Sequence, residues 1–297
     1  MTALLLCLLV PWADDAPADA LAKTMLPTYV REASDYAIAI ETAPTKPLEL
    51  KKEPIFEWSN PAREGLQQGV VFLWLRDGRP AAVGSVFSHP HEKPAGRKLV
   101  HELHALDPVK LLVGRPKGSL NEWVPQAGLE RKELADAPAP ASTAGGRLLQ
   151  MRRLAQEFTG HQFDRDGKRG ELRLLPAPLF RYPEAKSGVT DGALFTLIST
   201  TGTDPEVLLL IEAREAEGKA RWEYACARFS DWDLHVQRKG KDTWSSVRGG
   251  ENAFLHDPLH LYRLYGDKVV SLDGKLLARL RTTDAVAWGE VFPVGDK

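Results

Sequence analysis

Cysteine is nearly absent: Cys7 and Cys226 are the only two in 297 residues. Neither a disulfide framework nor a cysteine-based metal module can be built from them, so the fold must stand on burial and hydrogen bonding. An excess of either charge is also missing, with 39 Lys plus Arg against 40 Asp plus Glu. That balance excludes a polyanion-binding protein driven by bulk charge, and no nucleic-acid partner is expected. No apolar run reaches the length of a membrane span, so no transmembrane segment is expected in the mature chain. A nucleophile elbow, a phosphate-cradling P-loop and a dinucleotide fingerprint are all lacking. What is present is a large apolar fraction, 43% of residues, in a chain long enough for two domains.

The amino terminus carries an address. Ala3 to Val10 reads ALLLCLLV, an apolar run of 8 that suits the centre of a secretory signal. Ala16-Pro17-Ala18 is a small-x-small cleavage site, so residues 1–18 are expected to be removed, giving a periplasmic or extracellular protein that starts at Asp19. Met1-Thr2 departs from the pattern by carrying no Lys or Arg. Cleavage takes Asp14, Asp15 and Cys7 with it, leaving 39 basic residues against 38 acidic ones. Cys226 is then the lone thiol. Its strand-like surroundings, Trp222 to Phe229, hold no helix start or basic group poised to lower its pKa, and it reads as buried and inert.

The most informative feature is internal. Leu48, Leu50, Pro54, Phe56 and Trp58 recur as Leu172, Leu174, Pro178, Phe180 and Tyr182, at an offset of 124. Gly69-Val-Val-Phe72 recurs as Gly192-Ala-Leu-Phe195 at an offset of 123. A turn with Gly78 and Pro80 matches one with Gly202 and Pro205, and Arg97 to Leu106 matches the stretch from Arg221 to Phe229. Val113 to Trp123 echoes Val236 to Trp244. The series is colinear, which points to a duplicated unit.

Each unit reads mainly as strands. Period-two alternation after Leu48 marks a strand with one buried face. Val70–Leu75 and Ala81–Phe87 flank Arg76-Asp-Gly-Arg-Pro80, a hairpin turn, and Ala193–Ile198 and Glu206–Glu212 flank its counterpart. A helix is expected before each meander. In the second unit Leu148, Met151, Leu154, Ala155 and Phe158 share one face, with Ser142 or Thr143 as cap and Gly160 as stop. In the first unit the helix spans Asp19 to Ser34, interrupted by Pro27. Asp257-Pro258 opens a short helix ending at Gly266, followed by a hairpin turned at Asp273-Gly274. The expected fold is therefore β-rich α+β: two tandem modules, each a helix followed by a five- or six-stranded antiparallel meander curled around it. The modules span 19–134 and 147–297, joined by an Ala/Pro/Gly linker over 135–146. In order of elements this resembles cystatin-like and nuclear-transport-factor-like cones, in which a curled sheet wraps a helix and leaves an apolar pouch.

Histidine supplies the one cluster with metal-ligand chemistry. His89, His91, His101 and His104 lie within 16 residues, with Glu92 or Glu102 as oxygen ligand or base, and zinc is the candidate ion. A strand directs His101 and His104 to opposite faces, so both cannot serve one ion without a bulge. His101-Glu-Leu-His104 is one residue short of the helical zinc-protease spacing. The matching stretch of the second unit holds Ala225 and Arg228, so the repeat itself does not require the histidines. Asp164 to Gly170 begins like a calcium loop but has Lys168 at a ligand position, and reads as a polar turn. Paired aromatics, Trp58/Tyr182 and Trp123/Trp244, suit packing. The expected function is a non-enzymatic binding or cell-envelope interaction protein, its partner an envelope protein or a small ligand. The alternatives are a metal-dependent hydrolase using His89, His91 and His101, and a carrier of a small hydrophobic ligand.

Overall fold

The computed structural model describes residues 16–63, 66–114, 123–126, 128–183, 188–216, 218–248, 257, 259–281 and 290–293. Of these, 56% are in strands and 12% in two helices, with antiparallel sheets and a curled half-barrel. The first half runs α1 (Ala16–Ser34), β1 (Ala37–Ile40), β2 (Ala43–Pro47), β3 (Glu49–Asn60), β4 (Gln67–Arg76), β5 (Arg79–His91), β6 (Gly96–Ala105) and β7 (Leu111–Gly114). The short β8 (Lys132–Glu133) precedes α2 (Ala144–Ala155), β9 (Phe158–Phe163), β10 (Arg169–Leu174), β11 (Phe180–Arg181), β12 (Val189–Ser199), β13 (Pro205–Ala216) and β14 (Lys219–Arg228). β15 (Asp233–Arg238), β16 (Lys241–Ser246), β17 (Tyr262–Val270), β18 (Leu276–Arg281) and β19 (Glu290–Pro293) complete it.

Two large sheets result. The first has the order β19-β18-β17-β6-β5-β4-β3, and the second β16-β15-β9-β10-β12-β13-β14-β8, with β11 also on β12. A small sheet, β2-β1-β7, stands beside them. Both central meanders are buried on both faces, which is why Val70–Leu75 and Val207–Ile211 read as unbroken apolar runs. On one side of the first sheet lies α1, against β3, β4 and β5; on one side of the second lies α2, against β12 and β13. The remaining faces pack on each other. Leu194, Leu208, Leu210, Ala225, Ala227 and Phe229 of the second sheet join the core of the first. Their strand neighbours Ala193, Phe195, Leu197, Leu209 and Ile211 pack with Met151 and Leu154 of α2. The layers therefore run helix, sheet, sheet, helix.

Local chemistry explains the elements. Thr143 caps α2 by accepting from the Gly146 amide, as expected, but the helix ends at Ala155 and Gly160 lies inside β9. Gly160 is needed there for close approach: a Cβ would sit 3.0 Å from Leu197 and 3.2 Å from the His235 carbonyl oxygen. α1 continues through Pro27 and begins at Ala16, ahead of the expected cleavage point. Asp77 and Gly78 turn β4 into β5 with φ of 50° and 83°, the left-handed pair a two-residue hairpin demands.

The two meanders share register as well as order. Phe56 lies opposite Val71 and Phe180 opposite Leu194; Leu50 lies opposite Trp74 and Leu174 opposite Leu197. Both hairpins then shift by one residue at the same place, between Trp74 and Leu75 and between Leu197 and Ile198, to bring in Pro80 and Pro205. In this register the residues matching His101 and His104 are Tyr224 and Ala227, rather than the expected Ala225 and Arg228.

The carboxy-terminal segment differs from expectation. No helix forms from Asp257 to Gly266 among the described residues; Tyr262–Val270 is a strand paired with β6 of the first sheet. Tyr262, Leu264 and Tyr265 alternate across a sheet that would otherwise end in a long open edge, and edge pairing outweighs the Asp-Pro start signal. The hairpin turned at Asp273-Gly274 is present, and it extends the first sheet.

The sheets are pinned at one end by a buried ionic cluster. Glu212 accepts from Arg79 at 2.7 and 3.0 Å, from Arg131 at 2.9 Å and from the Tyr182 hydroxyl at 3.0 Å. Burial opposes its ionisation, but the Arg79 hydrogen bonds and the Arg131 charge outweigh it and hold the carboxyl down to about 2. Glu212→Gln strands two guanidinium groups, and is expected to cost about 3–5 kcal/mol in denaturant unfolding. A loss below about 1 kcal/mol would count against this lock.

Candidate functional site

β13 organises the space between the sheets. Glu206, Leu208, Leu210 and Glu212 share its inward face. Glu212 closes one end, the leucines fill the middle, and beyond them the sheets part around a cleft of about 1120 Å³. The cleft lies between the two sheets. The pouch expected between helix and sheet is filled instead by Met25, Tyr29 and Ala33 of α1, all fully buried.

Apolar walls come from Trp58, Phe87, Val100, Phe229 and Leu264. Trp58 donates its indole N–H to Ser85 at 3.0 Å and tilts against Phe87 at 5.2 Å, so it forms a fixed wall. Charged groups gather at the inner end. Arg63 donates to Asp204 at 3.0 Å and to Glu206 at 3.2 Å, with its guanidinium 4.1 Å above the Trp232 ring. Asn60 fixes the other Asp204 oxygen at 2.9 Å. Burial raises the Glu206 carboxyl well above the carboxylate range despite the opposing pull of Arg63.

Glu102 is the central group. It lines the cleft, is only 7% exposed, and has a hydrogen bond from the Tyr262 hydroxyl at 2.6 Å. Among the described residues no ion pair is formed with it, and the Arg63 charge acts on it only from a distance. Burial pushes it up to about 8, opposed by the Tyr262 bond and reinforced by the charge of Asp231.

The five residues proposed as metal ligands are distributed as follows. His101 points to the helix side of β6, where its Nδ1 lies 2.9 Å from the Tyr36 hydroxyl and its ring stacks on Tyr265 at 5.0 Å. Glu102 and His104 point to the other side. His104 is buried, with Nδ1 2.8 Å from the Ala105 carbonyl, and burial drives it down to about 3. His89 and His91 line the cleft mouth with Glu92. Glu102 pairs with Ser85, four residues along β5 from His89, which separates the two by about 13 Å at ordinary strand rise. The fold thus brings His89, His91 and Glu102 to one cleft without bringing them to one ion, and leaves His101 and His104 outside it. Among the described residues no three of His, Cys, Asp and Glu are placed to hold a metal. Cys226 is buried, and burial pushes its thiol up to about 12. Asp164 to Gly170 forms a turn in which Asp164 accepts from the Asp166 and Lys168 amides.

Arg63, Asp204, Glu206, Asp231, Trp232 and Tyr262 were not singled out in the sequence. One signal was there: two glutamates bracket the apolar run of β13 on a single face. No family model, no curated protein and no solved structure matches this chain. No described helix is long and apolar enough to cross a membrane.

Because the folded pKa of Glu102 lies above its ordinary value of 4.5, the folded chain keeps a proton that the unfolded chain loses between about pH 4.5 and 8. Its contribution to stability therefore falls as pH rises through that window. Glu102→Gln removes the effect, so the variant should gain on the wild type by on the order of 2–4 kcal/mol between pH 5 and pH 8. Denaturant unfolding at the two pH values checks this; a pH-independent difference would contradict it.

Proposed function

We propose that this chain is an exported, non-enzymatic binding protein that holds a small molecule in the cleft between its two sheets. The observation that carries this reading is the cleft itself: about 1120 Å³, walled by fixed aromatic side chains, with a buried carboxyl on its inner wall. Such a volume lies just above the usual range for a ligand pocket, and a few convergent polar groups on apolar walls are its common composition. Export rests on the apolar run Ala3–Val10 and the Ala16-Pro17-Ala18 site. A duplicated origin is supported by the equal ladder registers and the matched one-residue shifts. The carrier alternative thus becomes the leading one, with its pouch moved from helix–sheet to sheet–sheet.

Two outcomes are expected. Amino-terminal sequencing of protein recovered from the medium or periplasm should begin at Asp19, and an intact Met1 in that fraction would remove the export reading. Mass spectrometry of organic extracts should find a small molecule that co-purifies with the wild type and is lost from Val100→Trp, which fills the cleft. Equal recovery from a folded Val100→Trp protein would place the ligand elsewhere.

A further inference from the structure

We infer that the cleft takes an organic cation, an ammonium or guanidinium group carried on an apolar or aromatic body. This rests on the cleft being a ligand site. Its inner end has more carboxyls than cations. Among the described residues one guanidinium, that of Arg63, serves both Asp204 and Glu206, while Glu102 faces the cavity with its hydrogen bond from neutral Tyr262 and forms no ion pair. Asp231 is held from the mouth by Arg165 at 2.9 Å. Of the other charged lining groups Lys98 is buried in β6, and Lys93 stands with Glu92, Asp164 and Asp166. An anionic ligand would face Asp204 and Asp231 beside two carboxyls that burial keeps protonated, whereas a cation supplies the positive charge that Glu102 needs to ionise.

The site already holds one such group. The Arg63 guanidinium lies over Trp232 while its N–H groups reach the carboxyl groups of Asp204 and Glu206, the pairing of ring face and acid that recognises ammonium and guanidinium ligands. Glu102 stands beside apolar Val100 and Leu264 in the same cavity, so a ligand cation there would gain a carboxylate and its apolar body the walls. On binding, the Glu102 carboxyl gives its proton to solvent and pairs as carboxylate with the incoming cation, which keeps its own charge. The charged or titratable groups facing Glu102 are Tyr262 from β17, Arg63 after β3, Asp204 before β13, Glu206 in β13, and Asp231 and Arg228 at the end of β14.

The test uses three probes of one shape: 4-phenylbutylamine, 4-phenylbutanol and 4-phenylbutyrate. Each is titrated into the full mature chain by calorimetry and tryptophan fluorescence, in wild type, Glu102→Gln and Val100→Trp. The amine is expected to bind at least about 10-fold tighter than the alcohol, with the butyrate weakest. That preference should collapse in Glu102→Gln, and proton release should fall with it. If the alcohol or butyrate binds as tightly as the amine and Val100→Trp abolishes it, the cleft is a ligand site but the cation assignment is wrong. If no probe binds and no small molecule co-purifies, the cleft reading fails as well.

Discussion

Two sheets that each use the other as a lid are the constraint on which the rest of this structure depends. The central strands β4, β5, β12 and β13 are buried on both faces, and neither sheet could expose its inner face to water without losing a layer of leucine, valine and aromatic contacts. At roughly 25 cal/mol per Å² of apolar surface removed from water, this shared layer is a principal source of stability. The helices cover only the outer faces. Either sheet without the other would expose its inner apolar face to water.

Charge is admitted between the sheets only at the ends of that layer. At one end Glu212 is surrounded by donors, and its low pKa reflects a carboxylate paired well enough to offset burial. At the other end Glu102 and Glu206 are raised instead, because burial is not matched by enough positive charge. The same strand, β13, supplies Glu212 and Glu206. What separates a structural lock from a candidate ligand site is how closely cations approach: Glu212 is hydrogen-bonded by Arg79 of the facing sheet and by Arg131 just before β8, whereas Glu206 is hydrogen-bonded by Arg63 and Glu102 by the Tyr262 hydroxyl.

Much of this was legible in advance. Strand segments, hairpin turns and the Thr143 cap follow from alternation and from Gly, Pro and hydroxyl chemistry, which act over a few residues. The matched offsets between Leu48–Trp58 and Leu172–Tyr182 were visible for the same reason, and they coincide with equal ladder registers. Residues 257–266 misled because Asp-Pro is a local helix signal, whereas the unpaired edge of β6, far away in sequence, offered Tyr262–Val270 a ladder. Proximity along the chain does not carry over into space for the histidines. Strand alternation sends His101 and His104 to opposite faces, and the β5–β6 pairing carries His89 along the ladder from Glu102.

The sequence by itself determined the β-rich class, the antiparallel meanders and the buried, inert character of Cys226, since each depends on composition or short-range pattern. The tertiary structure decided which faces meet, that the last hairpin joins the first sheet, and that Glu102, Arg63, Asp204 and Asp231 converge although they lie far apart in the chain. Convergence of that kind is set by how two twisted sheets stack. Local propensity has no access to it, because the free energy that selects the stacking comes from burying whole faces rather than from any one segment.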